Sequence, residues 1–247
     1  MTKLTYPFDE KAVRALKAGE AVSITGRIYT GRDKFHKFFA DGGKLPVDFH
    51  DGALYHCGPV CVRNTVVAAG PTTSVRENPY EPGFIAASGV RLIIGKGGMD
   101  AATLAAMKKH GCVYVQAVGG AGALYADCVK RVAGVSLLEE FGAAEAVWHF
   151  DVEDFRGVVA MDSHGRSLFE EVERLSTARL ARLRGLTPPN PRGKVAGATP
   201  PNPQAATASP RAETLNSRAG VRGCNPRNLA KRPKTSRCKA LVREERP

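Results

Sequence analysis

A change in composition near residue 184 most constrains what this chain can fold into. Residues 184–247 contain ten of the sixteen prolines, no aromatic residue, and 14 Lys and Arg against 3 Asp and Glu. Residues 1–183 contain 22 basic and 21 acidic side chains, so nearly all of the formal charge of +12 lies in the C-terminal part. A stretch of about 180 residues is long enough to bury a core. We therefore predict a folded domain over 1–183 and a separate tail over 184–247.

The tail offers too little apolar surface to offset the conformational entropy that ordering it would cost. The motif TPPNP occurs twice, at 187–191 and 199–203, within a stretch rich in Ala, Ser and Arg. We predict that the tail is disordered. A basic tail can bind nucleic acid or an anionic membrane surface, or it can be a solvated extension without a ligand. The composition favours the solvated extension.

The six cysteines bear on the cellular compartment of the protein and on metal binding. Because no secretory leader and no apolar run of about 18 residues is recognisable, we expect a cytoplasmic protein with reduced thiols and no membrane contact. Cys57 and Cys61 are the only close pair, and their spacing is not that of a zinc ribbon or an iron–sulfur run. The histidines other than His36, His56 among them, show no ligand spacing and are expected to be structural. No metal site built from this chain alone is expected.

Hydrophobic periodicity and glycine positions predict a mixed α/β fold. Strands are predicted at 21–31, 53–62, 64–69, 90–95, 112–118 and, together with a short helix, at 135–159. Helical spacing occurs at 9–18, 34–43, 101–110 and 121–132. Asp100 is a good N-cap for the third of these helices, and Gly111 ends it. From residue 90 onward strands and helices alternate, which favours a largely buried sheet.

Three loops share one pattern, since each follows a predicted strand and places a cation beside glycine. They are the segments 30–33, 70–76 and 95–98. Glycine lets the backbone approach a ligand closely, and free backbone N–H groups in such loops form anion-binding concavities. Arg offers a bidentate fork to a carboxylate, whereas Lys offers a compact charge.

Together, Arg32, Arg76 and Lys96 are suited to hold a small molecule with two carboxylates. Taken singly, each loop is better explained as a structural turn. Arg32 can instead form a local ion pair with Asp33. His36 lies one helical turn after Arg32, so it can act as a proton donor or acceptor, or it can simply pair with Asp33.

Five segments in chain order carry a family pattern: GRIYTGRDKFHK, YHCGPV, GPTTSVR, IIGKGGM and AVGGAGALYA. Over about residues 2–172 the chain resembles the beta subunit of class I fumarases and tartrate dehydratases, which are iron–sulfur hydro-lyases. The resemblance implies a swivelling β/β/α domain with a mixed sheet that works with an alpha subunit. That partner supplies three cysteines for a 4Fe-4S cluster, one iron of which binds the dicarboxylate substrate, so this chain alone is expected to bind no cofactor.

The resemblance also implies roles for particular residues. Four residues are implied to bind the substrate: Arg32, Arg76, Lys96 and Thr73. Thr72 is implied to be the catalytic threonine, and His36 in the RDxxH motif is a second catalytic candidate. Because an alcohol is a weak base, Thr72 needs a neighbouring cation such as Lys96 or another base.

Two positions depart from the family pattern, and several functions stay open. Glu77 stands where the family commonly has Met, so we expect its carboxylate to compete for Arg76; Cys61 stands where an aliphatic residue is expected. The motifs favour reversible hydration of fumarate to malate, with tartrate dehydration as the alternative. A nucleic-acid-binding protein that acts through its tail and a dicarboxylate-binding module without catalysis are the other hypotheses.

Overall fold

The structure, a computed structural model, describes residues 1–62 and 65–184. In this part of the chain it confirms the mixed α/β fold, with nine strands and seven helices. The tail that we predicted to be disordered lies outside the described residues, apart from Arg184, which caps the last helix. No helix in the described ranges has both the length and the apolar character needed to cross a membrane.

The strands in chain order are β1 (Thr2–Thr5), β2 (Ala21–Thr30), β3 (Ala53–Tyr55), β4 (Val60–Val62), β5 (Thr65–Ala68), β6 (Leu92–Gly95), β7 (Val113–Gln116), β8 (Val129–Ser136) and β9 (Val147–Met161). The helices are α1 (Glu10–Ala15), α2 (Asp33–Ala40), α3 (Glu81–Ser88), α4 (Ala101–His110), α5 (Gly122–Cys128), α6 (Leu138–Phe141) and α7 (Leu168–Leu183), and a 3₁₀ turn covers Ser74–Glu77.

Seven of these strands form one sheet that closes on itself. The order is β1-β2-β3-β6-β7-β9-β8, and an additional pairing of β2 with β9 closes five strands into a barrel-like ring. β1, β2, β3, β6 and β7 run parallel to one another, whereas the long β9 is antiparallel to β2, β7 and β8. β4 and β5 form a separate antiparallel hairpin.

Apolar side chains on alternate positions of the strands face two different cores. In β6, Leu92 and Ile94 belong to a cluster shared with α1 and α5, whereas Ile93 belongs to a second cluster beneath α2, α3 and α4. Because successive side chains of a strand point to opposite faces, a sheet buried on both faces needs nearly continuous apolar strands. This requirement explains why all four residues of β6 are buried.

Most sequence-based boundaries are confirmed by local signals. Asp100 accepts a hydrogen bond from the backbone N–H of Thr103 and caps α4, which ends at Gly111 in the left-handed conformation. In β2, the pairing with β9 shifts register at Gly26, whose φ is 111°. The predicted helix over 121–132 is wrong beyond Cys128, where the chain continues as β8. Three elements had no sequence-based prediction, namely β1, α3 and α7.

Candidate active site

The carboxyl ends of four parallel strands meet at one edge of the ring. Arg32 follows β2, His56 follows β3, Lys96 follows β6, and the segment 117–119 follows β7. Ligands of α/β sheets commonly bind outside this end of the strands. The topology thus brings two of the three predicted cations, Arg32 and Lys96, to the same edge.

The loop between β5 and the 3₁₀ turn is fixed between β3 and β6 by its backbone. The N–H of Thr72 donates to the carbonyl of His56 at 2.7 Å, and the N–H of Lys96 donates to the carbonyl of Thr72 at 3.2 Å. The N–H of Ser74 then donates to the carbonyl of Lys96 at 3.0 Å. These bonds continue the sheet pattern past the strand ends, so Thr72, Thr73 and Lys96 have defined positions.

Arg32 is held by contacts on several sides. Its Nη1 donates to the carbonyl of Ala144 at 3.2 Å, and its Nη2 lies 3.2 Å from a carboxylate oxygen of Glu145. A Cβ at Gly58 would lie 2.5 Å from Nη1, so only glycine leaves room for the guanidinium there. The side chain remains 20% exposed, which leaves part of the guanidinium open to a ligand.

Arg32 and Arg76 share one carboxylate oxygen. Oδ2 of Asp33 lies 3.8 Å from Nη2 of Arg32 and 3.2 Å from Nη2 of Arg76. The expected ion pair of Arg32 with Asp33 is therefore present, and Arg76 joins it. The expectation that Glu77 competes for Arg76 is wrong, because Glu77 is buried beside His36 and Asp33 occupies Arg76 instead.

Lys96 and the two threonines complete the candidate group. Lys96 is partly exposed, its Cδ lies beside Gly119, and it has no ion-pair partner among the described residues. Thr73 is exposed beside Gly97. The Oγ1 atom of Thr72 is buried and has no hydrogen-bond partner in the described part of the chain. A buried hydroxyl without a partner is a costly arrangement, so this oxygen is available to an incoming ligand.

His36, the second catalytic candidate, lies behind this edge and is fully buried. Its Nδ1 is 3.0 Å from the carbonyl of Arg32 and 3.4 Å from Glu77, and its Nε2 is 3.0 Å from Oε2 of Glu81. Burial alone lowers the pKa of His36, but attraction to the Glu81 and Glu77 carboxylates outweighs it and raises that pKa. In this position His36 supports the backbone of Arg32 and does not face the exposed loops.

No sequence motif indicated a functional role for the other buried polar groups around His36. Nδ1 of His56 is 2.8 Å from Oγ of Ser74, which in turn is 2.9 Å from the hydroxyl of Tyr114. Burial lowers the pKa of His56 more than Glu81 raises it. Gly95 packs against this group of side chains. A Cβ at this position would collide with Oγ of Ser74, so only glycine fits.

Burial is also the main cause that raises the pKa of Glu77 to about 7. The carboxyl of Glu81 shifts in the opposite direction. Burial alone raises its pKa, but the two histidines beside it outweigh that effect and lower the pKa to about 2. The two buried carboxyl groups thus differ because Glu81 faces both imidazoles, whereas Glu77 faces only His36.

The cysteines of the described ranges do not fit an iron–sulfur cluster. Cys57, Cys61, Cys112 and Cys128 are free, and no three of them lie at ligand distance from one another. Burial raises the pKa of the Cys57 and Cys112 thiols, so both are held protonated. The described part of the chain therefore offers anion-binding groups but no cluster ligands.

The carboxyl edge of this mixed α/β ring thus carries Arg32 and Lys96, with Arg76 joined to Arg32 through Asp33. Residues 2–172 match the family model described as the fumarase C-terminus. The chain belongs to this family, and the resemblance drawn from the five sequence segments is confirmed.

Three relatives show how the family is distributed over longer and shorter chains. The chain is 49% identical over 186 residues to a protein of Geobacillus stearothermophilus named fumarate hydratase class I, covering 73% of this chain and 36% of that one. It is 40% identical over 195 residues to a Methanocaldococcus jannaschii protein named L(+)-tartrate dehydratase subunit beta, covering 74% of this chain and all of that one. With the protein of that name from Escherichia coli, identity is 31% over 182 residues, covering 71% and 90%. The chain thus spans about a third of the first relative and nearly the whole of the other two.

Proposed function

We propose that this chain is the beta-type subunit of an iron–sulfur hydro-lyase that reversibly hydrates fumarate to malate. The observation that carries the proposal is the backbone-fixed loop that sets Thr72, Thr73 and Lys96 at the edge where Arg32 also lies. Arg76 is tied to the same place through Asp33. The names of the relatives support a hydro-lyase.

The three cations bind the two carboxylates of the substrate in this proposal. Arg32 and Arg76 present their guanidinium groups on either side of Asp33, and Lys96 provides a third charge without a carboxylate of its own among the described residues. During addition or loss of water, negative charge builds up on the carboxylate next to the reacting carbon. Fixed cations at that position stabilise this charge and so lower the barrier.

Thr72 is the proposed group that transfers the carbon-bound proton. Its Oγ1 is buried and unpartnered within the described ranges, while its backbone is locked to His56 and Lys96. An alcohol needs a lowered pKa to serve as a base, and the ammonium of Lys96, whose backbone N–H bonds to Thr72, is the proposed group that lowers it. His36, fully buried behind Arg32, fits a positioning role better than direct proton transfer, and its catalytic role stays a prediction.

The 4Fe-4S cluster is proposed to belong to an alpha-type partner, where it supplies the Lewis acidity for the leaving hydroxyl. The described cysteines of this chain do not form a cluster site. The Geobacillus relative is much longer than the matched region, so the remainder of a chain of that kind is where the partner's counterpart is expected. Such an enzyme works in a reducing compartment, which the cytoplasm provides.

Tartrate dehydration is the second candidate, because the two relatives that this chain covers almost completely carry that name. Fumarate hydration is favoured by the higher identity of 49% to the relative named fumarate hydratase. Fumarate and tartrate differ in their hydroxyl groups, whereas the cations of this chain are proposed to bind the carboxylates that both compounds share.

The test is anaerobic co-expression of this chain with an alpha-type chain from the same source, followed by assay on fumarate, malate and both tartrates. Hydration of fumarate at the highest kcat/KM supports the proposal, and a preference for a tartrate selects the second candidate. A complex that contains its cluster but acts on none of the four compounds contradicts both. A variant without residues 184–247 should retain the activity, whereas the hypothesis of a tail that binds nucleic acid predicts that this truncation abolishes function.

A further inference from the structure

Three fully buried side chains converge directly behind the candidate active site. Nε2 of His36 lies 3.0 Å and Nε2 of His56 lies 3.2 Å from the same oxygen, Oε2 of Glu81. The three donor atoms lie within 4.8 Å of one another, and each side chain is 0% exposed. His36 lies in α2, Glu81 lies in α3, and His56 follows β3. Because the three residues come from separate elements, no sequence spacing indicates that they lie together.

The second nitrogen of each ring fixes which atom faces Glu81. Nδ1 of His36 is 3.0 Å from the carbonyl of Arg32, and because a carbonyl only accepts, this Nδ1 carries hydrogen. Nδ1 of His56 is engaged by Oγ of Ser74 at 2.8 Å. Both Nε2 atoms therefore face the carboxylate of Glu81, which attracts either a proton on each ring or a cation between them.

The distances around Oε2 of Glu81 fit a bound cation. Neither Nε2 is aligned for a hydrogen bond with Glu81, and both oxygens of Glu81 lack a hydrogen-bond partner in the described chain. The distances of 3.0 and 3.2 Å are close to the edge of a tetrahedron around zinc, about 3.3 Å for ligands that are about 2.0 Å from the ion.

We propose that His36, His56 and Glu81 bind a divalent transition-metal ion of the zinc type. Two imidazole nitrogens and the two carboxylate oxygens of Glu81 provide four donor atoms. The carbonyl of Arg32 and the hydroxyl of Ser74 orient the two rings, as outer partners of metal-binding histidines do. Glu77, whose carboxylate is 3.4 Å from Nδ1 of His36, is the other acidic group beside the rings.

The site has a structural consequence for the neighbouring edge. The ion ties together α2, α3 and the end of β3, and its ligands contact the backbone of Arg32 and the side chain of Ser74. Its ligands all come from this chain and include no cysteine. Since all three ligands are buried, the ion has to enter while the chain folds.

The proposal is tested on the full chain expressed without its partner. The chain is unfolded in denaturant with a chelator, then refolded in the presence or absence of zinc or cobalt and freed of unbound ions. We expect one zinc ion per chain by elemental analysis, a melting temperature that rises with zinc, and visible absorption typical of four-coordinate cobalt. Refolded chain that holds less than about a tenth of an equivalent, melts at one temperature with and without zinc, and lacks the cobalt absorption overturns the proposal.

Substitutions locate the ion. Glu81→Gln and His56→Gln should each lower the zinc content at least about tenfold, whereas His149→Gln, which changes a histidine that contacts Ser136 away from this cluster, should leave it unchanged. Zinc that persists in the Glu81→Gln variant is bound elsewhere and overturns the assignment. If the Gln variants do not fold, the stoichiometry and the cobalt absorption of the unsubstituted chain decide.

Discussion

Two cations bracket the short strand β6 and have opposite surroundings. Arg91, before the strand, is 7% exposed, and its guanidinium lies 2.7 Å from Asp51, 2.8 Å from Glu10 and 2.7 Å from the carbonyl of His110. Lys96, after the strand, is partly exposed, and within residues 1–62 and 65–184 no carboxylate pairs with it. Arg91 and Lys96 are five positions apart in the sequence. The guanidinium of Arg91 contacts three acceptors, whereas the ammonium of Lys96 pairs with no carboxylate of the described residues.

The difference distinguishes a charge that holds the fold from a charge kept for a ligand. At the Arg91 edge, acceptors from three separate parts of the chain surround the guanidinium, so its removal would leave those groups unpaired. At Lys96, backbone hydrogen bonds to Thr72 and Ser74 fix the main chain, whereas the side chain has no ion-pair partner among the described residues. This pattern is what a binding site requires, since a ligand then supplies the missing counter-charge.

The largest expected effect comes from Thr72, on the same edge as Lys96. Thr72→Val keeps the size of the side chain and removes the hydroxyl, so turnover by the complex should fall at least about 100-fold while substrate binding stays nearly constant. Steady-state kinetics and equilibrium binding of fumarate measure the two quantities. Thr5→Val, on the exposed strand β1, is the control and should leave both unchanged. Turnover within a few-fold of the original value would rule out the assignment.

Lys96→Gln tests whether the unpaired charge is kept for the substrate. Loss of one charged contact, worth about 1.5–3 kcal/mol, should lower kcat/KM about 10- to 100-fold without a drop in melting temperature. Lys37→Gln, which changes an exposed lysine paired with Asp41, serves as the control with unaltered kinetics. A stable variant with normal kinetics would contradict the claim that the charge of Lys96, unlike that of Arg91, is kept for the substrate.

Arg91→Gln should show the reverse behaviour. The free energy of unfolding is expected to fall by about 1–3 kcal/mol because Asp51, Glu10 and the carbonyl of His110 lose their shared donor, while the kinetics of the folded complex stay normal. Chemical denaturation measures the change. Arg131→Gln removes a 69% exposed partner of Asp151 and should cost less than about 1 kcal/mol. Equal costs for the two arginines would contradict the role given to Arg91.

Asp162, at the end of β9, gives the smallest effect and adds a dependence on pH. Its carboxylate accepts the backbone N–H groups of Ala18, His164 and Arg166 at 2.9, 3.0 and 2.9 Å. Burial raises the pKa of Asp162, but these three bonds outweigh it and lower that pKa below the ordinary 3.8. The stabilisation is therefore complete above the ordinary value and is lost as pH falls through the lower one.

Asp162→Asn should accordingly cost about 1–2 kcal/mol near neutral pH, and the cost should shrink below about pH 4. Denaturation curves at several pH values measure this difference. A cost that is the same at pH 3 and pH 7 would show that the charge of Asp162 is not what stabilises the turn.

Short-range signals explain which parts of the fold were predictable. The cap at Asp100 and the glycine after α4 depend on a few neighbouring residues, so the sequence shows them. The error after Cys128 has a non-local cause. Residues 129–132 have helical spacing, but Val129 pairs with Val152 of β9, and this pairing overrides the local preference.

The candidate site likewise has features that the local sequence predicts and features that it does not. The loops that carry Arg32, Thr72 and Lys96 were recognisable because glycines and cations stand together in them. The sharing of Asp33 by two arginines and the contact of Arg32 with Glu145 join distant parts of the chain and were not predictable. His56 was expected to be structural for the same reason, since its neighbours Glu81 and His36 come from other elements.

Gly95 limits how this edge can change in evolution or in the laboratory. Any side chain there would displace Ser74 and, with it, the ring of His56. A mutant library intended to accept new diacids can therefore randomise exposed neighbours such as Thr73 and Val118, while codon 95 has to stay glycine. Selection for new substrates should then repeatedly recover changes on the outer rim and none at that position.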